Sequence, residues 1–123
     1  MELRLDDRVA LVTGASSGIG RAAPPALANA GASVRIRGNH HLQAAEAVAE
    51  IIVRQGTGDR GAARCDRCAR GRRLVRTTVD ALGGIDVAVN NAGTNQLPSL
   101  EETTDDVWQR HLAVNTTGGY TVP

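Results

Sequence analysis

Lysine is absent from this sequence: all 14 basic residues are arginine. Within these 123 residues that excludes any chemistry needing a lysine amine, such as a Schiff base, a P-loop lysine or a lysine-assisted tyrosine. Phenylalanine is absent as well, and there is one tryptophan, Trp108, and one tyrosine, Tyr120. Aromatic rings supply much of the buried area of an ordinary core, so a core here must rest on Ala, Val, Leu and Ile. Cysteine is confined to Cys65 and Cys68, which excludes a secreted disulfide framework. No apolar run approaches the roughly 18 residues of a membrane span. Met1 to Asp7 lacks the apolar stretch of a secretory signal. A net charge of +1 gives no overall basic or acidic character. The expectation is one soluble, cytoplasmic domain with no membrane partner.

Charge is nonetheless uneven. Residues 60–76 hold seven arginines against the single acid Asp66, a net +6, while the remaining 106 residues sum to −5. Clustered arginines can neutralise phosphates, but no aromatic is interleaved for base stacking and the rest of the chain is acidic. A solvated or locally scrambled segment is the plainer reading, and a shifted reading frame in a GC-rich gene yields the same composition. No nucleic-acid partner is expected. The Cys65–Cys68 pair is not accompanied by a second pair, and the histidines, His40, His41 and His111, are scattered. A zinc site needs about four ligands, so no metal is expected.

The apolar pattern alternates between two periods. Arg8 to Thr13 is a short apolar run ending in a glycine cluster and reads as a buried strand. Ile19, Ala22, Ala23, Ala26, Leu27 and Ala30 recur at helical spacing until Gly31. Ala32 to Arg37 reads as a second strand, Leu42 to Gln55 as the clearest helix, and Gly61 to Cys65 as a weak third strand. Leu74, Val75, Val79 and Leu82 mark another helix, and Ile85 to Val89 a fourth strand. Thr104 followed by Asp105 and Asp106 is a good helix start, leading into Val107, Trp108, Leu112 and Val114. Strands alternating with helices predict an α/β fold with right-handed parallel crossovers. Pro24 and Pro25 fall inside the first helix. A mid-helix proline costs about 3 kcal/mol, which predicts a kink or break between Ala23 and Ala26 with Gly18 as N-cap, and weakened affinity for whatever the helix start holds.

Thr13-Gly-Ala-Ser-Ser-Gly-Ile-Gly20 separates the first strand from the first helix. Physically it is an anion site: glycines let the backbone approach a phosphate, and N–H groups at the helix start point at it. An ordinary strand-to-helix turn has the same look, and the spacing is not G-x-G-x-x-G.

The T-G-x-x-x-G-I-G arrangement resembles the short-chain dehydrogenase/reductase family. The resemblance extends to Asn90-Asn-Ala-Gly93 after the fourth strand, to Cys65-Asp66 after the third, and to the run from Asp105 to Asn115. It implies a Rossmann-like doubly wound parallel sheet, truncated after about four strands: residues 1–123 would be the first half of an NAD(P)-binding domain. It also implies roles. Gly14, Ser16, Ser17, Gly18, Ile19 and Gly20 would cradle the pyrophosphate. Arg37, Gly38 and Asn39 would face the adenosine ribose, and Asp66 the adenine. Asn90, Ala92 and Gly93 would line the adenine-ribose side, and Asn115 would hold the water of a proton relay.

Each role has a plainer counterpart: a solvated turn for Asp66, a strand-closing pair for Asn90 and Asn91, a polar mid-helix residue for Asn115. The family's catalytic serine and Tyr-x-x-x-Lys, which would follow the asparagine, are not among these residues. The sequence runs eight residues past Asn115, and Tyr120 precedes only Thr121, Val122 and Pro123. The resemblance therefore implies part of an oxidoreductase that moves hydride between nicotinamide and a carbonyl or alcohol, inactive alone. A noncatalytic dinucleotide-binding or regulatory half-domain is the alternative. An acid at the end of the second strand would bind a ribose 2′-hydroxyl and repel a 2′-phosphate. Gly38 stands there, between Arg37 and Asn39, so NADP is expected over NAD. With no next strand, the edge at Ile85 to Val89 would be open to self-association.

Overall fold

A computed structural model describes residues 3–38, 42–54, 64–65, 71–95 and 98–118. Four strands alternate with helices: β1 Val9–Thr13, α1 Gly18–Asn29, β2 Ser33–Arg37, α2 Leu42–Arg54, β3 Arg64–Cys65, α3 Gly71–Leu82, β4 Val87–Val89 and α4 Asp105–Leu112. A π-helical turn, Ala113–Thr117, continues α4. The strands are parallel and ordered β3-β2-β1-β4. Thr13 is level with Arg37, and Val12 with Val89.

β1 lies between β2 and β4 and every residue in it is buried, which explains its unbroken apolar reading. Alternation then sorts the side chains. Ala10, Val12, Val34 and Ile36 join Ala28 of α1 and Val48 of α2 in one core. Leu11 faces the other way, onto Leu74 of α3, with Ile85 beside them. Among the described residues this second core is small and purely aliphatic.

The prolines do not break α1, contrary to the sequence expectation. Ser17, not Gly18, is the N-cap, and one helix runs through Pro24 and Pro25 to Asn29. Gly20, Pro24 and Ala28, one per turn, are its buried residues, and the helix packs on β1, β2 and α2. Tertiary burial of that stripe outweighs the intrinsic helix-breaking cost. It cannot restore the N–H groups that the prolines lack, so the carbonyls of Gly20 and Arg21 have no i+4 donor.

At α4 the expected start holds: Thr104 is the N-cap, and its Oγ1 accepts from the Val107 N–H at 3.4 Å. Asp105 and Asp106 sit in its first turn, and Arg110 and His111 in its last. None of its apolar residues is buried, and Trp108 is 54% exposed. Among the described residues no helix is long and apolar enough to cross a membrane.

Candidate functional site

The glycine turn occupies the carboxyl edge of the sheet, beside the point where the chain order reverses. β2 and β3 extend from one side of β1, and β4 adds to the other. In open α/β sheets the crevice at such a reversal is where ligands bind.

Thr13, the last residue of β1, ties the two halves of this edge together. Its Oγ1 accepts from the N–H of Asn91 and of Ala92, both at 3.2 Å, and donates to the Val89 carbonyl at 3.4 Å. Asn91 Nδ2 then donates to the Gly14 carbonyl at 3.0 Å. Gly14 has φ +66°, and a Cβ there would stand 2.8 Å from Ala92 Cα. A Cβ at Gly20 would overlap the Gly14 carbonyl and Asn91 Nδ2. The glycine turn and the Asn90–Gly93 segment thus interlock by backbone contact, which only glycine permits.

The outer part of the turn faces outward. Gly18 also has a positive φ, +52°, but its Cβ position meets nothing within 4 Å. Ser17 makes no side-chain cap bond to the first-turn N–H groups of α1. Ser16 is half-buried, Ser17 and Gly18 are exposed, and Ile19 is 77% exposed. An apolar side chain standing out beside uncapped helix N–H groups suits a ligand carrying both an anion and an apolar ring.

The remaining predicted residues divide. Arg37 is half-buried and Gly38 buried at the end of β2, and the Ala15 N–H reaches the Arg37 carbonyl at 3.4 Å, joining the turn to that strand. Asn90, Ala92 and Gly93 are exposed at the same edge. Asn115 reaches them from the π-helical turn: its Oδ1 accepts from the Thr94 N–H at 2.7 Å, and its Nδ2 donates to the Thr94 carbonyl at 2.8 Å. Its side chain therefore clamps backbone, with Oδ1 3.2 Å from where a Gly93 Cβ would lie. Asn39 and Asp66 lie outside the described residues, as do His40, His41, Cys68 and Tyr120. Among the described residues no group of three or more His, Cys, Asp or Glu could hold a metal.

Sequence reasoning named Thr13 as the first residue of the glycine motif and Asn91 as part of a strand-closing pair but gave neither a bridging role, and it did not name Thr94. The threonine beside Gly14 and the second asparagine of the Asn90–Gly93 run were visible signals, whereas the Thr94 pairing needs tertiary structure. At the opposite, amino edge Asp86 accepts from the Val9 N–H at 2.8 Å and from Arg8 Nη1 at 2.9 Å. Those bonds, the backbone one first, hold its carboxyl below the ordinary range.

The short chain dehydrogenase family matches residues 8–122. D-threitol dehydrogenase of Mycolicibacterium smegmatis is 40% identical over 124 residues, covering 97% of this chain and 46% of that protein. Elsinochrome reductase 1 of Elsinoe fawcettii is 37% identical over 122 residues, covering 97% of this chain and 45% of that protein. A dehydrogenase/reductase structure from Sinorhizobium meliloti superposes with a TM-score of 0.87 at 34% identity, covering 98% of this chain and 48% of that one. The chain spans about half the length of these relatives. With the interlocked glycine turn at the sheet reversal and a family match over nearly every residue, the chain belongs to the short chain dehydrogenase family.

Proposed function

We propose that this chain is the coenzyme-binding half of an NAD(P)-dependent oxidoreductase, with the pyrophosphate seated on the Gly14–Gly20 turn. The observation that carries the reading is the interlock of Gly14 and Gly20 with Asn91 and Ala92, which holds Ser16 to Ile19 open at the carboxyl edge. The residues fit a dinucleotide. Gly18 and Ser17 offer backbone N–H groups to the diphosphate. Ile19 offers apolar contact towards the ring beyond it. Asn90, Ala92 and Gly93 border the adenosine side, with Asn39 and Asp66 assigned there by resemblance.

When bound, the coenzyme supplies the hydride given to, or taken from, a carbonyl or alcohol carbon. Asn115 acts in this reading as a positioning residue, since both ends of its amide are committed to Thr94. It fixes Gly93 and Thr94 against the π-helical turn, and a relay water would lie on the backbone it orders. NADP is the favoured coenzyme, because Gly38 places no carboxylate at the end of β2 and Arg37 adds a positive charge. The β4 edge pairs with β1 alone among the described residues, and we assign self-association of the isolated chain to it.

Titration with NADPH and NADH tests the binding half of this reading, and saturable binding of one or both is expected. A parallel assay of these 123 residues with a panel of carbonyl substrates is expected to give no turnover. The proton donor would need a pKa tuned towards neutrality, and no lysine is present to tune a tyrosine. Turnover abolished by Asn115→Ala would contradict this and make Asn115 catalytic.

A further inference from the structure

We propose that Arg73 on α3 works with Arg37 as a second cation for the ribose 2′-phosphate of NADP, so that α3 takes part in selecting the coenzyme. The inference rests on the dinucleotide reading above and carries it from the end of β2 to a helix of the neighbouring layer.

The geometry starts at Arg35. It lies in the middle of β2, 6% exposed, and its Nη2 donates to Thr77 Oγ1 of α3 at 3.3 Å. That bond ties one flank of α3 to β2, while Leu74 seats the helix on Leu11 of β1. Val34 and Ile36 belong to the core on the α1 and α2 side, so Arg35 and Arg37 alternate onto the α3 side. Because β3 and β4 lie parallel in one sheet, α3 between them runs opposite to the strands, with its first turn at the carboxyl edge. From Arg35 to Arg37 the strand advances about 6.6 Å towards that edge. From Thr77 back to Arg73, four residues along one helix face, α3 covers about 6 Å in the same direction. Arg73 is therefore level with Arg37, on the flank of α3 nearest β2.

Electrostatics supplies the occupant. Arg73 is exposed and Arg37 half-buried. The ion pairs among the described residues, Arg4–Asp6 and Arg8–Asp86, involve neither. The first turn of α3 contains no acid. Two guanidinium groups brought to one level repel each other, and a phosphate dianion between them turns that repulsion into charge-assisted hydrogen bonds. NADH carries no such group, so the gain is confined to the phosphorylated coenzyme. Arg72 lies further round the helix, away from the Thr77 flank, and serves as a control of equal charge.

Calorimetric titration of the 123-residue chain with NADPH, NADH and 2′,5′-ADP tests the assignment. The wild-type chain is expected to bind NADPH more tightly than NADH. Arg73→Ala is expected to weaken NADPH and 2′,5′-ADP about tenfold, the low end for a hydrogen bond to a charged group, and to leave NADH unchanged. Arg73→Lys should recover part of the loss, and Arg72→Ala should change neither coenzyme. If both coenzymes bind but Arg73→Ala weakens them equally, or weakens neither, the role of Arg73 is overturned and the dinucleotide reading stands. If the wild-type chain binds neither coenzyme, both fall together.

Discussion

A single methyl group separates the observed glycine turn from one that cannot close. At Gly20 an added Cβ would press into the Gly14 carbonyl and Asn91 Nδ2, both held by hydrogen bonds. Overpacking of this kind costs about 1–3 kcal/mol, so Gly20→Ala should lower stability by that amount and weaken coenzyme binding. Urea denaturation and an NADPH titration read the two effects. At the other end of the sheet, Asp86 sets an acid limit. Its carboxyl is held below the ordinary value by the Val9 N–H and by Arg8. In that interval the unfolded chain binds the proton and the folded chain does not, so stability rises with pH there. The contribution is complete above the ordinary carboxylate range and lost as pH falls through the lowered folded value. Asp86→Asn should therefore melt below wild type near neutrality, and the gap should shrink as the pH falls below about 4. A gap that is constant with pH would assign the effect to neutral hydrogen bonding alone. Of these residues the glycines were legible as a motif, because positive φ and close approach leave a compositional trace. Asp86 was not, because a polar residue at the end of a strand has the same pattern whether it bridges strands or faces water.

The elements show where local rules give way to packing. Alternation and helical spacing place β1, β2, α1, α3 and α4 within a few residues of their observed bounds. They do so because each has one periodic apolar face or, in β1, none that meets water. The two prolines mislead because propensity says nothing of the sheet beneath: Pro24 fills the place between Gly20 and Ala28 against the core. Pro25 is only half-buried. Pro25→Ala returns an N–H to the Arg21 carbonyl and should stabilise the chain by up to about 3 kcal/mol. A rise in the urea midpoint checks this, and a fall would show that the ring of Pro25 packs better than its backbone costs. α4 was placed correctly by its cap, yet its apolar residues are not buried among the described residues. Spacing identifies a face and not what covers it.

At the scale of the whole molecule, fold and site were legible together because both depend on chain order. Strand, glycine turn, helix and strand dictate a parallel sheet, and the reversal of strand order after β3 puts the glycine turn and the Asn90–Gly93 segment side by side. The clamp between Asn115 and Thr94 and the level of Arg73 with Arg37 depend on how helices sit over the sheet, and no sequence period encodes that. The central claim is that the carboxyl edge around β1 and β4 receives a dinucleotide. The most direct test is an NMR titration of the isotope-labelled 123-residue chain with NADPH, following backbone amides. Saturable shifts should centre on Gly14–Gly20, Arg37–Asn39, Asp66, Asn90–Thr94 and the first turn of α3 around Arg73, with Val9 and Asp86 at the amino edge unmoved. Saturation with no shift in the glycine turn, or the largest shifts at the amino edge, would contradict the account.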